Sequence, residues 1–171
     1  MVDLTANQLR RALSAAGELA EVKDLADFPP LVAKMLRELI PCEHAGYNAI
    51  DVKSAKASVV ADPADVVFDG GPEVLAQFAG QSPIIVRAAA GDRGVLRLSD
   101  HISKRELHRT DLYNHVYRLV GLEYQLGVQL PPLRSELGHP DELIAGISIA
   151  LPPKTARVAH VLSPTDVDSR G

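Results

Sequence analysis

The sequence predicts a single α+β domain in which helices pack on a mainly antiparallel sheet. Two amphipathic helical patterns open the chain, and two strand-forming segments split by proline, glycine and charged residues lie near its end. The length of 171 residues and the hydrophobic content of 46% suit one compact domain with one core. We therefore expect one domain over residues 1–151 and an irregular tail over residues 152–171.

The first 41 residues predict two helices. Thr5 and Gln8 have the spacing of a helix capping box, and apolar residues recur at helical intervals up to about Val22. The segment 27–30 contains two prolines and predicts a helix start, because proline is tolerated in the first turn. An apolar stripe follows, and Pro41 ends the second helix.

The middle of the chain mixes short strands with short helices. Residues 45–52 and 57–61 carry strand formers on either side of a short polar segment, which predicts a hairpin. Residues 62–71 have loop composition, and a short helix is expected over 72–78. Further expected elements are a helix at 83–90, a strand at 95–98, a helix capped by Ser103 with Glu106, and a helix from Thr110 or Asp111 to Gly121.

The two clearest strands are predicted over residues 122–130 and 143–151. The first alternates apolar or aromatic residues with others, and the second is a nearly continuous apolar run. Their separation by turn-forming residues predicts an antiparallel pair near the end of the domain.

Charge, cysteine content and hydropathy exclude several classes of function. The formal net charge of -4 and the pI near 5.8 argue against a phosphate-binding surface, so no direct nucleic-acid binding is expected. The single cysteine, Cys42, forms no internal disulfide, which favours a cytoplasmic location. No signal peptide and no apolar run of roughly 20 residues is present, so no membrane association is expected.

The segment SDHISKRELHRTDLY at residues 99–113 resembles GAF-like sensor domains that precede LuxR-type helix-turn-helix domains in bacterial regulators. The similarity extends back through Pro83 and Gly91-Asp92 and forward through Arg118 and Gly121 to residues 124–126. It covers most of residues 9–151. The resemblance implies a GAF-like fold, a sheet of about five or six strands flanked by helices, and a role in sensing a small ligand or in dimerisation. The end of the chain departs from the family, because residues 151–171 stand where a helix-turn-helix usually follows.

Four polar residues are candidates for ligand contacts. Tyr47 and Asn48 fall on an early predicted strand, and Tyr124 and Gln125 fall on a late one. Tyr124 and Gln125 face opposite sides of an ideal strand, so at most one of them lines a given face. The alternative is that the tyrosines cap the core and the amides satisfy loop backbone.

One metal-ligand pattern is present. His108, Asp111 and His115 are three and four residues apart, and one helical face would present two imidazoles and a carboxylate. The alternative is that Asp111 caps a helix and a turn at His108 breaks the common face. The alternative is favoured, so neither a metal nor a cofactor is expected.

Enzyme motifs are absent from the sequence. It contains no Gly-x-Ser-x-Gly elbow, P-loop, dinucleotide fingerprint or His-Glu-x-x-His pair. Cys42 lies beside Glu43 and His44, but sequence adjacency does not make a catalytic pair, and a neighbouring carboxylate disfavours the thiolate. A small buried cysteine at a strand start is the favoured interpretation.

Three hypotheses of function follow. The first is a non-enzymatic sensor domain of a transcription regulator that binds a small ligand and forms homodimers through the apolar face of the first helix, namely Leu9, Leu13, Ala16 and Leu19. The second is a protein-interaction module with a filled core. The third is an enzyme that uses the histidine–aspartate group as a metal site or Cys42 as a thiol.

Overall fold

A computed structural model describes residues 5–51, 54–130 and 143–152. The predicted irregular tail lies, from residue 153 onward, outside the described residues. The described part of the domain contains five α-helices and five strands, along with short 3-10 turns and one π-helical segment. The α-helices and strands are α1 (Ala6–Ala20), α2 (Phe28–Leu39), β1 (His44–Asp51), β2 (Lys56–Asp62), α3 (Gly71–Phe78), α4 (Pro83–Ala89), β3 (Val95–Arg97), α5 (Lys104–Leu107), β4 (Gln125–Gln129) and β5 (Leu143–Ala150).

The first two helices begin where the sequence predicts. In α1, the Thr5 hydroxyl accepts a hydrogen bond from the backbone N–H of Gln8, and the Gln8 side chain accepts one from the Thr5 backbone. This reciprocal pair satisfies two backbone donors that would otherwise be free at the helix start. In α2, Pro29 and Pro30 occupy the first turn, where the missing N–H costs no hydrogen bond.

All described strands belong to one antiparallel sheet, in the order β2-β1-β5-β4-β3. The predicted hairpin is the β1–β2 pair, and the two predicted late strands pair as β4 and β5. The long strand β5 inserts between β1 and β4, and it pairs with β1 over its whole length and with β4 over residues 146–150. The predicted α+β class with a mainly antiparallel sheet is therefore confirmed.

Helices cover both faces of this sheet. On one face, Tyr47, Ala49 and Ala145 pack with Val32 of α2, and Leu19 of α1 lies against the same cluster. On the other face lies the larger core cluster, in which α3, α4 and the segment 107–122 supply most of the apolar side chains. The sheet is thus the middle layer of three, and each strand sends alternate residues to opposite layers.

The region 103–124 differs from its prediction in detail. Ser103 and Glu106 form the expected capping box, but α5 has only four residues. The following helix has π-type hydrogen bonding over Tyr113–Tyr117. Gly121 has a φ of 69°, and the N–H of Leu122 donates to the carbonyl of Tyr117 at 2.8 Å, as in a Schellman cap. Because the backbone of Leu122 takes part in this cap, β4 begins at Gln125 and not at the predicted residue 122.

We expect Gly146→Ala to destabilise the domain by about 1–3 kcal/mol. A Cβ atom at this position would lie 2.9 Å from the backbone carbonyl oxygen of Val128 on β4, so one of the two paired strands would have to shift. The free energy of unfolding from urea denaturation measures the effect.

The matched control is Gly17→Ala in α1. A Cβ at Gly17 meets no atom within 4 Å, so helix propensity alone should stabilise this variant by roughly 0.5–1 kcal/mol. Unchanged stability of Gly146→Ala would contradict the close strand contact.

Candidate ligand-binding site

A cavity of about 130 Å³ lies between the sheet and the helices of the larger core cluster. Its floor lies on three rows of residues that run across β1, β5 and β4. Each row contains three directly paired positions, and all of these residues except Ala150 line the cavity. The rows are His44–Ala150–Gln125, Gly46–Ser148–Gly127 and Asn48–Gly146–Gln129. Small residues alternate with polar ones in this array, and the missing side chains of the glycines leave room above the sheet.

The walls of the cavity are apolar. Phe68 precedes α3, Leu75 belongs to α3 and Ile84 to α4, and all three line the cavity with Val116 and Leu122. Gly127 allows α4 to approach the floor closely, because a Cβ at Gly127 would lie only 2.8 Å from Cγ2 of Ile84. The glycine on β4 therefore sets how near the covering helix lies to the sheet.

The polar groups at the cavity form three hydrogen-bonded pairs, two of which share the Tyr117 hydroxyl. The Asn48 amide donates to the Ser148 hydroxyl at 3.0 Å across the β1–β5 interface. The Tyr117 hydroxyl lies 3.4 Å from the side-chain carbonyl oxygen of Gln125 and 3.4 Å from the hydroxyl of Ser82, which is almost completely buried. These pairs satisfy polar atoms that lie in a largely apolar environment.

The described residues that line the cavity include no Asp, Glu, Lys or Arg. His44 and Tyr117 are the titratable groups among them. Burial lowers the pKa of His44, although the nearby Glu43 carboxylate raises it in part, so the imidazole stays neutral near pH 7. Burial also raises the pKa of the Tyr117 phenol, which is therefore protonated. The cavity carries no formal charge in this pH range.

The four predicted ligand residues divide between the two faces of the sheet. Asn48 and Gln125 line the cavity. Tyr47 lies on the opposite face, where its ring meets Phe28 edge-on at 6.1 Å, and burial raises its pKa. Tyr124 also packs on that side, with Ala45 and neighbouring residues. The period of two along a strand separates each tyrosine from the amide next to it. Ligand binding by Asn48 and Gln125 stays a prediction.

Sequence reasoning missed four polar residues at this site: His44, Tyr117, Gln129 and Ser148. Ser148 is the only hydroxyl in the apolar run of β5, and a lone polar residue in a buried strand is a usable signal. Gln125, Gly127 and Gln129 lie on one face of β4 and form a pattern of polar and small residues with a period of two. The apolar residues that alternate with them give the stronger signal in the sequence and hide this pattern.

The three residues of the predicted metal pattern have separate surroundings. His108 stacks on Tyr113 at 4.1 Å and lies 3.4 Å from a carboxylate oxygen of Glu123. Asp111 accepts a hydrogen bond from the Gln81 amide at 3.1 Å, and His115 stacks on Phe78 at 5.6 Å. Within residues 5–51, 54–130 and 143–152, no three His, Cys, Asp or Glu side chains gather to hold a metal ion.

Cys42 is partly buried at the end of the α2–β1 connection. Burial raises the pKa of its thiol, the charge of Arg37 lowers it by less, and Asp62 raises it further. A raised thiol pKa reduces the thiolate fraction on which nucleophilic and redox reactivity depends. The geometry at Cys42 therefore does not favour a thiol enzyme.

We expect the burial of His44 to make the domain less stable in mild acid. A histidine whose pKa is lowered by folding binds its proton more readily in the unfolded state, so stability is lost as the pH falls below the unfolded value of about 6.5. Relative to His44→Gln, the wild type should lose up to about 1.4 kcal/mol per pH unit between about pH 6.5 and pH 5.

Urea denaturation of both proteins at several pH values measures this difference. The other histidines are common to both proteins, and the carboxylates whose pKa values are lowered, Asp92, Glu106 and Glu123, act at lower pH. Parallel pH profiles for the two proteins would show that His44 titrates as if exposed.

Three solved structures share this fold. The ligand-binding domain of VqsR from Pseudomonas aeruginosa is similar with a TM-score of 0.58 at 14% identity, and the match covers 90% of each chain. CepR2 from Burkholderia cenocepacia, an N-acylhomoserine lactone dependent LuxR-family transcription factor, has a TM-score of 0.58 at 13% identity over 92% of this chain and 88% of its own. The GAF domain of a phosphoenolpyruvate-protein phosphotransferase from Coxiella burnetii has a TM-score of 0.50 at 17% identity over 85% and 77%.

No protein-family model and no curated protein matches the sequence. Within the described part of the chain, no helix has the length and apolar character needed to cross a membrane. This chain therefore folds as a GAF-like domain and shares that fold with the VqsR ligand-binding domain and CepR2.

Proposed function

We propose that this chain is a regulatory sensor domain that binds a small, uncharged and largely apolar molecule in the cavity between the sheet and α3, α4 and the π-helical segment. The observation that carries the proposal is the lining of that cavity: apolar walls, a floor of glycines and amides, and no charged side chain among the described lining residues. Ligand sites typically combine apolar walls with a few directed polar groups.

The electrostatics of the cavity favour an uncharged ligand. An ionised ligand would lose its hydration on entry, and the lining offers no opposite charge to offset the several kcal/mol that this costs. An apolar ligand gains roughly 25 cal/mol for each Å² that it removes from water. The cavity volume of about 130 Å³ is close to the roughly 150 Å³ that encloses a benzene molecule in an engineered cavity. Compact ligands therefore suit the site.

The fold supports a regulatory output. One structural neighbour is the ligand-binding domain of VqsR, and another, CepR2, is described as an N-acylhomoserine lactone dependent LuxR-family transcription factor. We extend the regulatory role to this chain as part of the proposal and assign it no catalytic activity. The cavity weighs against a protein-interaction module with a filled core, and the single free cysteine suits the cytoplasm.

A thermal-shift comparison of hexanamide with hexanoate tests the proposal. The two molecules have the same number of non-hydrogen atoms and differ in charge at neutral pH. Because a ligand that binds only the folded state raises its stability, hexanamide should raise the Tm with saturable dependence on concentration and hexanoate should not. Equal shifts for the two compounds would contradict the uncharged site.

A pair of variants on β2 locates the binding. Ala61 lines the cavity, so Ala61→Leu should fill part of it and reduce the hexanamide shift by more than half. Ser58 lies on the same strand but is exposed, so Ser58→Leu introduces the same side chain outside the cavity and should leave the shift intact. The ligand-free Tm of each variant reports whether it is folded.

The surface of α1 supports the second part of the proposal, a homodimer. The helix buries Ala15 and packs Leu19 on the sheet side, but Leu9 and Leu13 remain 50% and 64% exposed. These leucines are four residues apart and lie on one helical face, where pairing across a two-fold axis would remove both from water.

We expect Leu13→Glu to convert the dimer to a monomer, because each protomer would place a charge in an apolar interface. Light scattering measures the mass in solution. The control is Leu119→Glu, since Leu119 is 61% exposed and lies outside α1. Loss of the dimer in both variants, or in neither, would contradict an interface on α1.

A further inference from the structure

Gln125 carries an unpaired hydrogen-bond donor at the cavity. The residue is only 8% exposed, and it lines the cavity. Its side-chain oxygen, Oε1, lies 3.4 Å from the Tyr117 hydroxyl. Within the described part of the chain, its amide nitrogen, Nε2, has no hydrogen-bond partner. Amide donors of buried side chains are normally paired, so a free one at a cavity is a candidate ligand contact.

The nitrogen of this amide is accessible. Among the described residues, the unpaired polar side-chain atoms that lack accessible surface are Nε2 of His108 and Oε1 of Gln129. Nε2 of Gln125 is not one of them, although it is unpaired, so it retains accessible surface. Because the rest of Gln125 is buried and the residue lines the cavity, a ligand in the cavity can reach this nitrogen.

A chain of hydrogen bonds behind Gln125 determines which end of its amide is free. The Ser82 hydroxyl oxygen accepts from the backbone N–H of Ile85 at 3.4 Å and lies 3.4 Å from the Tyr117 hydroxyl. Ser82 and Tyr117 each have one hydroxyl proton to donate. Both protons find an acceptor when Ser82 donates to Tyr117 and Tyr117 donates to Oε1 of Gln125. This arrangement leaves the two N–H groups of Gln125 for a ligand.

The reversed amide would leave a buried proton without an acceptor. If Nε2 of Gln125 donated to Tyr117, then Tyr117 would donate to Ser82, and the proton of Ser82 would have no acceptor among its described side-chain partners. Ser82 is 1% exposed, so water does not take that role. Burial also raises the pKa of Tyr117, which keeps the phenol protonated as a donor. The Ser82–Tyr117 pair therefore holds the oxygen of Gln125 and leaves its nitrogen free.

The other polar pair on the floor expresses no such preference. The Asn48 amide donates to the Ser148 hydroxyl at 3.0 Å. The pair keeps one further acceptor, the Asn48 oxygen, and one further donor, the Ser148 proton. It therefore accommodates ligand donors and acceptors alike, whereas Gln125 offers donors only.

We propose that the cavity selects an uncharged ligand with a hydrogen-bond acceptor, such as the carbonyl of a ketone, ester or amide, and that Nε2 of Gln125 donates to this oxygen. The proposal rests on the function proposed above, because it assumes that the ligand binds in the cavity. Gln125 determines specificity, and Tyr117 and Ser82 are positioning residues that orient its amide. A ligand without an acceptor leaves the Gln125 donors unpaired while it is bound.

A ketone and its alkene analogue test the acceptor requirement. Hexan-2-one and 2-methylhex-1-ene differ only in that a CH₂ group replaces the carbonyl oxygen, and NMR titration of the full chain gives a Kd for each. Gln125→Met keeps the length of the side chain and removes both N–H donors. We expect it to weaken ketone binding about fivefold, the factor that a net hydrogen bond of about 1 kcal/mol provides, and to leave the Kd of the alkene unchanged.

Each ligand is compared between wild type and variant, so the different hydration of the two free compounds cancels. The control is Gln77→Met on α3, because Gln77 is exposed and does not line the cavity. Both Kd values should match the wild type in this control. For Gln125→Met, an equal rise in both Kd values, or no change in either, would overturn the role of Gln125.

Tyr117→Phe tests the positioning role. The variant removes the donor to Oε1 and keeps both N–H groups of Gln125, so the amide becomes free to turn. The Kd of the ketone should rise, and that of the alkene should stay the same. Equal weakening of both ligands is the result of a purely structural role and would contradict the positioning of Gln125.

A measurement on the wild type does not depend on the folding of any variant. The side-chain N–H signals of Gln125 should move to higher ppm with hexan-2-one and not with the alkene. If hexan-2-one shifts the backbone signals of Gly46 and Gly127 but not these side-chain signals, the role of Gln125 is overturned and the cavity remains a ligand site. Binding of neither compound would count against the cavity itself and so against both proposals.

Discussion

The pairing of β5 with β1 and β4 is the constraint on which the rest of the structure depends. This register brings Gly46, Ser148 and Gly127 into one row and Asn48, Gly146 and Gln129 into the next. Because side chains alternate along a strand, a slip of one residue would turn the small and polar residues toward α2 and the apolar ones toward the cavity. The chemistry of the cavity is therefore a consequence of strand register.

The same register gives the two faces of the sheet different side chains. On the α2 face, Tyr47, Ala49 and Ala145 pack into a closed apolar cluster. On the cavity face, glycines replace strand-forming residues. Glycines weaken strands, and the side chains around the cavity make fewer packing contacts than they would in a filled core. A ligand that binds in this cavity only when the domain is folded would stabilise the domain by mass action.

Local signals made much of the fold predictable from sequence. The capping boxes at Thr5 and Ser103 depend on residues three positions apart, and both are present in the structure. The hairpin of β1 and β2 and the late antiparallel pair followed from composition and turns. The start of β4 was missed, because the cap at Gly121 and the hydrogen bond from Leu122 to Tyr117 remove residues from the apparent alternation.

The site was less predictable, since its geometry depends on contacts between distant residues. Asn48 and Ser148 are 100 positions apart, and nothing local to either residue indicates the other. Asn48 and Gln125 were selected as polar residues on strands, but so were Tyr47 and Tyr124, and only the register assigns each to a face.

We propose that the ligand binds on the side of the sheet that carries Gly46, Gly127 and Gly146. An NMR titration of the ¹⁵N-labelled chain with hexanamide tests this most directly. The account predicts saturable shifts of the amide signals of Gly46, Gly127 and Gly146, with those of Gly17 and Gly80 unchanged, because these two glycines have open surroundings outside the cavity. Shifts confined to residues of α1 and α2, with the three floor glycines unaffected, would contradict it.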